Sequence, residues 1–116
     1  MDEQKRLHDS LNQNASLKEV QEYIREITNI RGFCSYPVEQ EMLLLTEEVG
    51  ELAKAVRKEK TNVGIDKNKV GNYDSIEGEI ADIFFVLTSI CNLLHIDLYD
   101  AFYEKERTNI NRVWSK

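Results

Sequence analysis

Two segments of this chain, residues 38–60 and 76–95, repeat their apolar side chains at the period of an α-helix over lengths too great for strands. In the first, Val38, Met42, Leu45, Val49, Leu52 and Val56 form one apolar stripe, and Leu44 and Ala55 form a second. A helix with two apolar faces lies between packing layers. The second segment is apolar almost all round, with Ile80, Ile83, Phe84, Phe85, Val86, Leu87, Ile90, Leu93 and Leu94, which makes it central to the fold. Each segment also carries two acids at i, i+3 on an apolar side: Glu48 with Glu51, and Glu79 with Asp82. Like charges at that spacing oppose the helix that holds them.

Punctuation around these segments completes a helical chain. Ser16-Leu17-Lys18-Glu19 reads as a capping box, followed by Leu17, Val20, Ile24 and Ile27 at helical spacing, with an end near Arg31-Gly32. Pro37 suits the first turn of the helix that runs to about Lys60. Residues 61–74 carry two Gly, three Asn and two Asp and read as a loop, after which Asp74 or Ser75 can cap the third helix. Asp97 caps a fourth, with Asp100 in its first turn, running to about Val113. With no strand signal, the fold class is all-α, a four-helix-bundle type. Residues 1–15 read as a flexible N-terminal arm and residues 16–116 as a single helical domain. Few domains of 116 residues are very stable alone, so oligomerisation would complete the core.

The four acids need a reason to be together. Burying an unpaired carboxylate costs several kcal/mol, and four in proximity cannot all ionise unaided. Raised pKa values give no reason to collect them, and the core stripes contain no Lys or Arg. Bound divalent cations fit best: hard oxygen ligands suit Mg²⁺, with Mn²⁺ as a substitute. Mg²⁺ keeps positions open for water and for substrate phosphates. No histidine stands at i+3 from these acids, which disfavours a di-iron site, and His8 and His95 read as structural or exposed. Glu47 lies further round the wheel; it is either solvent-facing or a base near a metal-bound water.

On the fourth helix the inner face of Leu98, Ala101 and Phe102 gives way to Lys105, Asn109 and Arg112. These are either ordinary polar residues of a solvated end or groups that reach an anion, Arg bidentately and Lys as a point charge. Trp114 and Tyr73 either stack on a base or pack in a core or interface. The net charge of −6 argues against binding a nucleic-acid polymer but allows a small phosphorylated ligand held through metal ions. The charged start "MDEQKRLHDS" has no signal-peptide pattern, and Ile83–Leu94 is too short and interrupted to span a bilayer. Cys34 and Cys91 have no metal-type spacing and read as reduced thiols of a cytoplasmic protein.

With these residues in view, "EEVGEL" at 47–52, "EGEIADIFFVL" at 77–87 and "IDLYDAFYEKERTNINRVW" at 96–114 resemble the MazG-type all-α nucleoside triphosphate pyrophosphohydrolases. The family pattern is E-x-x-E, a spacer, then E-x-x-D; here 27 residues separate Glu51 from Glu79. The likeness covers about residues 17–114, with "HIDL" where many members have glycine. It implies that Glu48, Glu51, Glu79 and Asp82 coordinate Mg²⁺, and that water attacks the α-phosphorus of an NTP or dNTP to give the monophosphate and pyrophosphate. Lys105 and Arg112 would stabilise developing charge, Asn109 would contact the nucleotide, and Lys54 or Arg57 would assist with phosphates. It also implies a homodimer or homotetramer and fits a role in cleaning the nucleotide pool.

Three rivals remain. Phosphoribosyl-ATP pyrophosphohydrolase shares the acidic motif and fold class. A calcium module is suggested by "DKNKVGNYDSIE", where Asp66, Asn68, Gly71, Asp74 and Glu77 occupy EF-hand positions, although Val70 cannot ligate, Lys67 and Lys69 oppose a cation, and there is no second copy. The last is a purely structural helical module.

Overall fold

The structure, a computed structural model, describes residues 2–33, 35–61, 64 and 75–115. Those residues form helices and no strand: α1 (Asp2–Ser10), α2 (Leu17–Arg31), α3 (Val38–Lys60), α4 (Ile76–Leu93) and α5 (Leu98–Asn109). The all-α class expected from the periodicity is therefore observed. The chain divides into two compact units, residues 1–35 with 91–116, and residues 36–90. Among the described residues no single helix is long and apolar enough to cross a membrane.

In the first unit, α1 and α5 both pack on α2. Helix α1 falls where the sequence reads as a loose arm. Its nine residues offer a single buried anchor, Leu7, too little periodicity to recognise. The capping box at the start of α2 forms as expected, with Ser16 Oγ accepting from Glu19 N at 3.1 Å and Glu19 Oε1 accepting from Ser16 N at 3.0 Å. The far end closes on Gly32 at φ 79°, with Gly32 N donating to Asn29 O and Phe33 N to Thr28 O. These paired bonds satisfy carbonyls the helix leaves open, and glycine adopts the left-handed position without steric cost.

Helix α4 ends by the same device on a different residue. Ile96 N donates to Cys91 O at 2.8 Å and His95 N to Asn92 O at 3.3 Å, but the left-handed position is His95, at φ 57°. A Cβ at such an angle strains the backbone. The corner after α4 is held by Gln21 of α2, which is only 4 % exposed. Gln21 Nε2 donates to Asn92 Oδ1 and to Ile96 O, and Gln21 Oε1 accepts from Leu98 N, each at 2.8 Å. One amide thereby satisfies groups of the α4–α5 turn and of the first turn of α5. Outside it, Lys18 Nζ reaches Asp97 Oδ2 at 2.9 Å and Asp100 Oδ1 at 3.0 Å. Asp97 caps α5, accepting from Asp100 N at 2.8 Å.

Helix α5 stops at Asn109, four residues short of the end read from the sequence. Asn109 O accepts both Arg112 N at 3.1 Å and the Trp114 indole N–H at 3.2 Å, so the tightened turn replaces the next helical bond.

In the second unit, Ala55 on α3 and Val86, Thr88, Ser89 and Ile90 on α4 are buried. The Thr88 hydroxyl is satisfied by Phe84 O at 2.7 Å. The longer apolar stripe of α3 stays exposed at Met42, Val49 and Val56, as does α4 at Ile80, Phe84 and Leu87. Helix α4 is thus less enclosed than its all-round apolar sequence implies. Cys91 is a free, buried thiol. Cys34, Tyr73, Asp74 and most of the EF-hand-like segment, including Asp66, Asn68, Gly71, Lys67, Lys69 and Val70, lie outside the described residues.

Candidate metal centre

Helix geometry brings three of the four expected acids together. On α3 the spacing i, i+7, i+14 puts Glu41, Glu48 and Ala55 on one face. Glu41 and Ala55 are buried there and Glu48 is half-buried. Helix α4 starts at a serine cap: Ser75 Oγ accepts from Gly78 N at 3.0 Å. A Cβ at Gly78 would lie 3.1 Å from that oxygen, so glycine keeps the cap close. Glu79 falls in the first turn of α4, where unsatisfied N–H groups favour negative charge, and Asp82 follows one turn on.

One carboxylate oxygen from each of Glu48, Glu79 and Asp82 can be chosen so that all three lie within 4.8 Å of one another. Glu79 is buried, at 3 % exposure, whereas Asp82 opens to solvent. The Glu48 carboxyl is pushed above the usual carboxylate range, chiefly by burial and then by the Asp82 charge. Glu51 and Glu47 add to the push, and a hydrogen bond with Glu79 opposes it. Without a cation Glu48 resists ionisation. The donors are all hard oxygens on two facing elements with one side open to water, a set that fits a divalent ion such as Mg²⁺ or Mn²⁺.

The other expected residues separate into local groups. Glu51 is half-buried, and its Oε1 sits 3.7 Å from Lys54 Nζ, one turn along α3. It stays near enough to act on Glu48 by charge but is not one of the three clustered ligands. Glu47 is exposed. Arg57 Nη1 donates to Gly64 O at 3.1 Å. In the first unit Asn109 and Arg112 come together: Arg112 Nη1 donates to Asn109 Oδ1 at 3.4 Å, and the guanidinium stands 4.7 Å from the Trp114 ring centre. Asn109 Nδ2 also donates to Glu106 Oε2 at 2.8 Å, while Lys105 is exposed on the same helix. Trp114 itself is exposed, which removes the core reading of that residue.

Sequence reasoning passed over Glu41. It is 5 % exposed, and burial raises its carboxyl pKa. The signal was present in its position seven residues before Glu48 on the same face, but Glu39 and Gln40 beside it make the start of α3 look like an ordinary solvated turn.

A family model described as the MazG nucleotide pyrophosphohydrolase domain matches residues 36–113, well over half of the chain. No curated protein matches, and no solved structure matches. The matched segment contains the acid cluster of α3 and α4 as well as Lys105, Asn109 and Arg112 of α5. By that match, with its all-helical fold and its clustered acids, the chain belongs to the MazG nucleotide pyrophosphohydrolase family.

Proposed function

We propose that this protein is a Mg²⁺-dependent nucleoside triphosphate pyrophosphohydrolase that converts an NTP or dNTP to the monophosphate and pyrophosphate. The observation that carries the reading is the close approach of Glu48, Glu79 and Asp82, one buried and one open to solvent, inside the family segment. In this reading those three hold the ion, and Glu51 joins them by turning from Lys54. A bound divalent ion supplies Lewis acidity toward the phosphates and a water acidified enough to attack at neutral pH.

The chain's own residues do the rest. Glu47 takes the proton of the attacking water as its oxygen bonds to the α-phosphorus. The bond from that phosphorus to the bridging oxygen breaks, and pyrophosphate leaves with the electron pair. Lys105 and Arg112 stabilise the charge that develops on the phosphate oxygens, and Asn109 orients the nucleotide. Lys54 and Arg57 lie on the same helix as Glu48 and neutralise the outer phosphates. Residues 16–116 act as one domain. The exposed apolar stripes of α3 and α4 are covered by a second copy of the chain, giving a homodimer or homotetramer. A cytoplasmic protein that removes unwanted nucleotides is the setting this chemistry suits.

The test is pyrophosphate release from a panel of ribo-, deoxy- and damaged nucleoside triphosphates and from phosphoribosyl-ATP, with Mg²⁺ or Mn²⁺ and with chelator. Turnover of a triphosphate that needs the ion and disappears in Glu48→Gln and Glu79→Gln supports the proposal. Turnover of phosphoribosyl-ATP alone assigns the rival reaction, and no turnover of any nucleotide defeats the proposal.

A further inference from the structure

Along the N-terminal half of α3 lies a cavity of about 670 Å³. Tyr36, Gln40, Glu41, Leu44 and Glu47 line it, and all belong to the second unit. Its volume is in the range of pockets that take small organic ligands. Most of its lining is apolar. Gln40, Glu41, Thr46 and Glu47 supply its polar groups, the kind that fix the orientation of a ligand.

Glu41 is the unusual member. Its side chain is buried, and among the described residues it makes no hydrogen bond or ion pair. An acid so placed is only poorly hydrated, and burial disfavours its charged form. Such a group is explained when a ligand supplies the missing partners. The cavity also has a direction. Glu47 stands on its wall and precedes Glu48 of the acid cluster in sequence. Glu41 lies seven residues earlier on the face of Glu48, a rise of about 10 Å along the helix. A molecule with phosphates at the cluster and an uncharged heterocycle at its other end would span that interval.

We infer that this cavity receives the nucleobase of the substrate and that Glu41 is its specificity-determining residue, hydrogen-bonding the polar edge of the base. The inference rests on the nucleotide reading of the acid cluster and adds where the base goes. Gln40 supplies a second donor and acceptor beside Glu41, while Tyr36 and Leu44 supply apolar wall. Burial raises the Glu41 carboxyl, which favours the form with one O–H donor beside one C=O acceptor. Every nucleobase carries an adjoining donor and acceptor on its polar edge, so the preference among bases depends on how Gln40 and Glu41 are oriented together.

The experiment compares wild type, Glu41→Leu and Glu41→Gln. Binding of the α,β-methylene analogues of ATP, GTP, CTP and UTP is measured by calorimetry with Mg²⁺, against inorganic tripolyphosphate as the base-free probe. Glu41→Leu is expected to lose about 10–100-fold in affinity for the preferred nucleotide, with its spread among bases flattened. Its affinity for tripolyphosphate stays at the wild-type value, and its melting temperature does not fall. Glu41→Gln keeps a donor beside an acceptor and retains nucleotide affinity. In steady state the loss appears in KM, with kcat held. Equal loss for nucleotide and tripolyphosphate, or no loss for either, overturns the inference. Failure of the wild type to cleave any nucleotide counts against the reaction instead and is read separately, because the analogues report binding without turnover.

Discussion

Replacing Asp82 with Asn should stabilise the metal-free protein and remove its response to Mg²⁺. Asp82, Glu48 and Glu79 offer oxygens within 4.8 Å of one another. Two unit charges at that separation repel by about 3 kcal/mol at an effective dielectric near 20. Asp82 opens to solvent, so screening reduces the relief to about 1 kcal/mol. For a domain of this size that raises the melting temperature by about 4 °C in chelator. A site that binds only the folded form adds about 2.7 kcal/mol at a ligand concentration a hundred times its Kd. The wild type should therefore melt higher as Mg²⁺ is titrated, and Asp82→Asn should not. Thermal melts in chelator and across a Mg²⁺ series measure both effects. A lower melting temperature for Asp82→Asn in chelator, with an undiminished Mg²⁺ response, would show that the carboxylate serves the fold and would refute the reasoning.

Three further outcomes test the first unit. Gln21→Leu removes three hydrogen bonds of 2.8 Å and strands groups of the α4–α5 turn; it should cost about 3 kcal/mol in chemical denaturation. His95→Gly keeps both turn bonds and relieves the left-handed strain, and should stabilise by about 0.5–1 kcal/mol in the same assay. The backbone N–H of Asp100, followed by Lys18, holds the Asp97 carboxyl below the usual carboxylate range. A depressed folded pKa gives stability that is present above about pH 4 and is lost as pH falls through the folded value. Asp97→Asn should flatten that acid limb while still capping α5, as read by denaturation at pH 3 and pH 6.

The sequence announced its helix ends more clearly than its faces. Ser16 with Glu19, Gly32 and Asp97 are local signals, and each acts in the structure as its chemistry requires. Helix α1 was not legible because one leucine sets no period. The end of α5 was missed because the indole of Trp114 takes a helix carbonyl, a bond formed across five residues that no periodicity encodes. On α3 both apolar faces read as covered, yet the longer stripe is exposed at Met42, Val49 and Val56, while Glu41 and Ala55 on the other face are buried. A wheel shows which residues share a face but not whether the same chain or another covers it. The acid cluster was legible because Glu48, Glu79 and Asp82 sit at fixed helical spacings. Glu51 stood on the same wheel sector, yet its carboxylate lies 3.7 Å from Lys54 Nζ and outside the three-acid cluster. Glu41 escaped notice because its burial depends on packing, not on spacing.

The central claim is that this chain delivers water to the α-phosphorus of a nucleoside triphosphate under divalent-metal control. The most direct measurement is hydrolysis in heavy-oxygen water with Mg²⁺, followed by mass analysis of both products. The account predicts pyrophosphate and a nucleoside monophosphate, with the label confined to the monophosphate and no product in chelator. Label in the pyrophosphate, release of orthophosphate as the first product, or equal rates with and without the ion would contradict it.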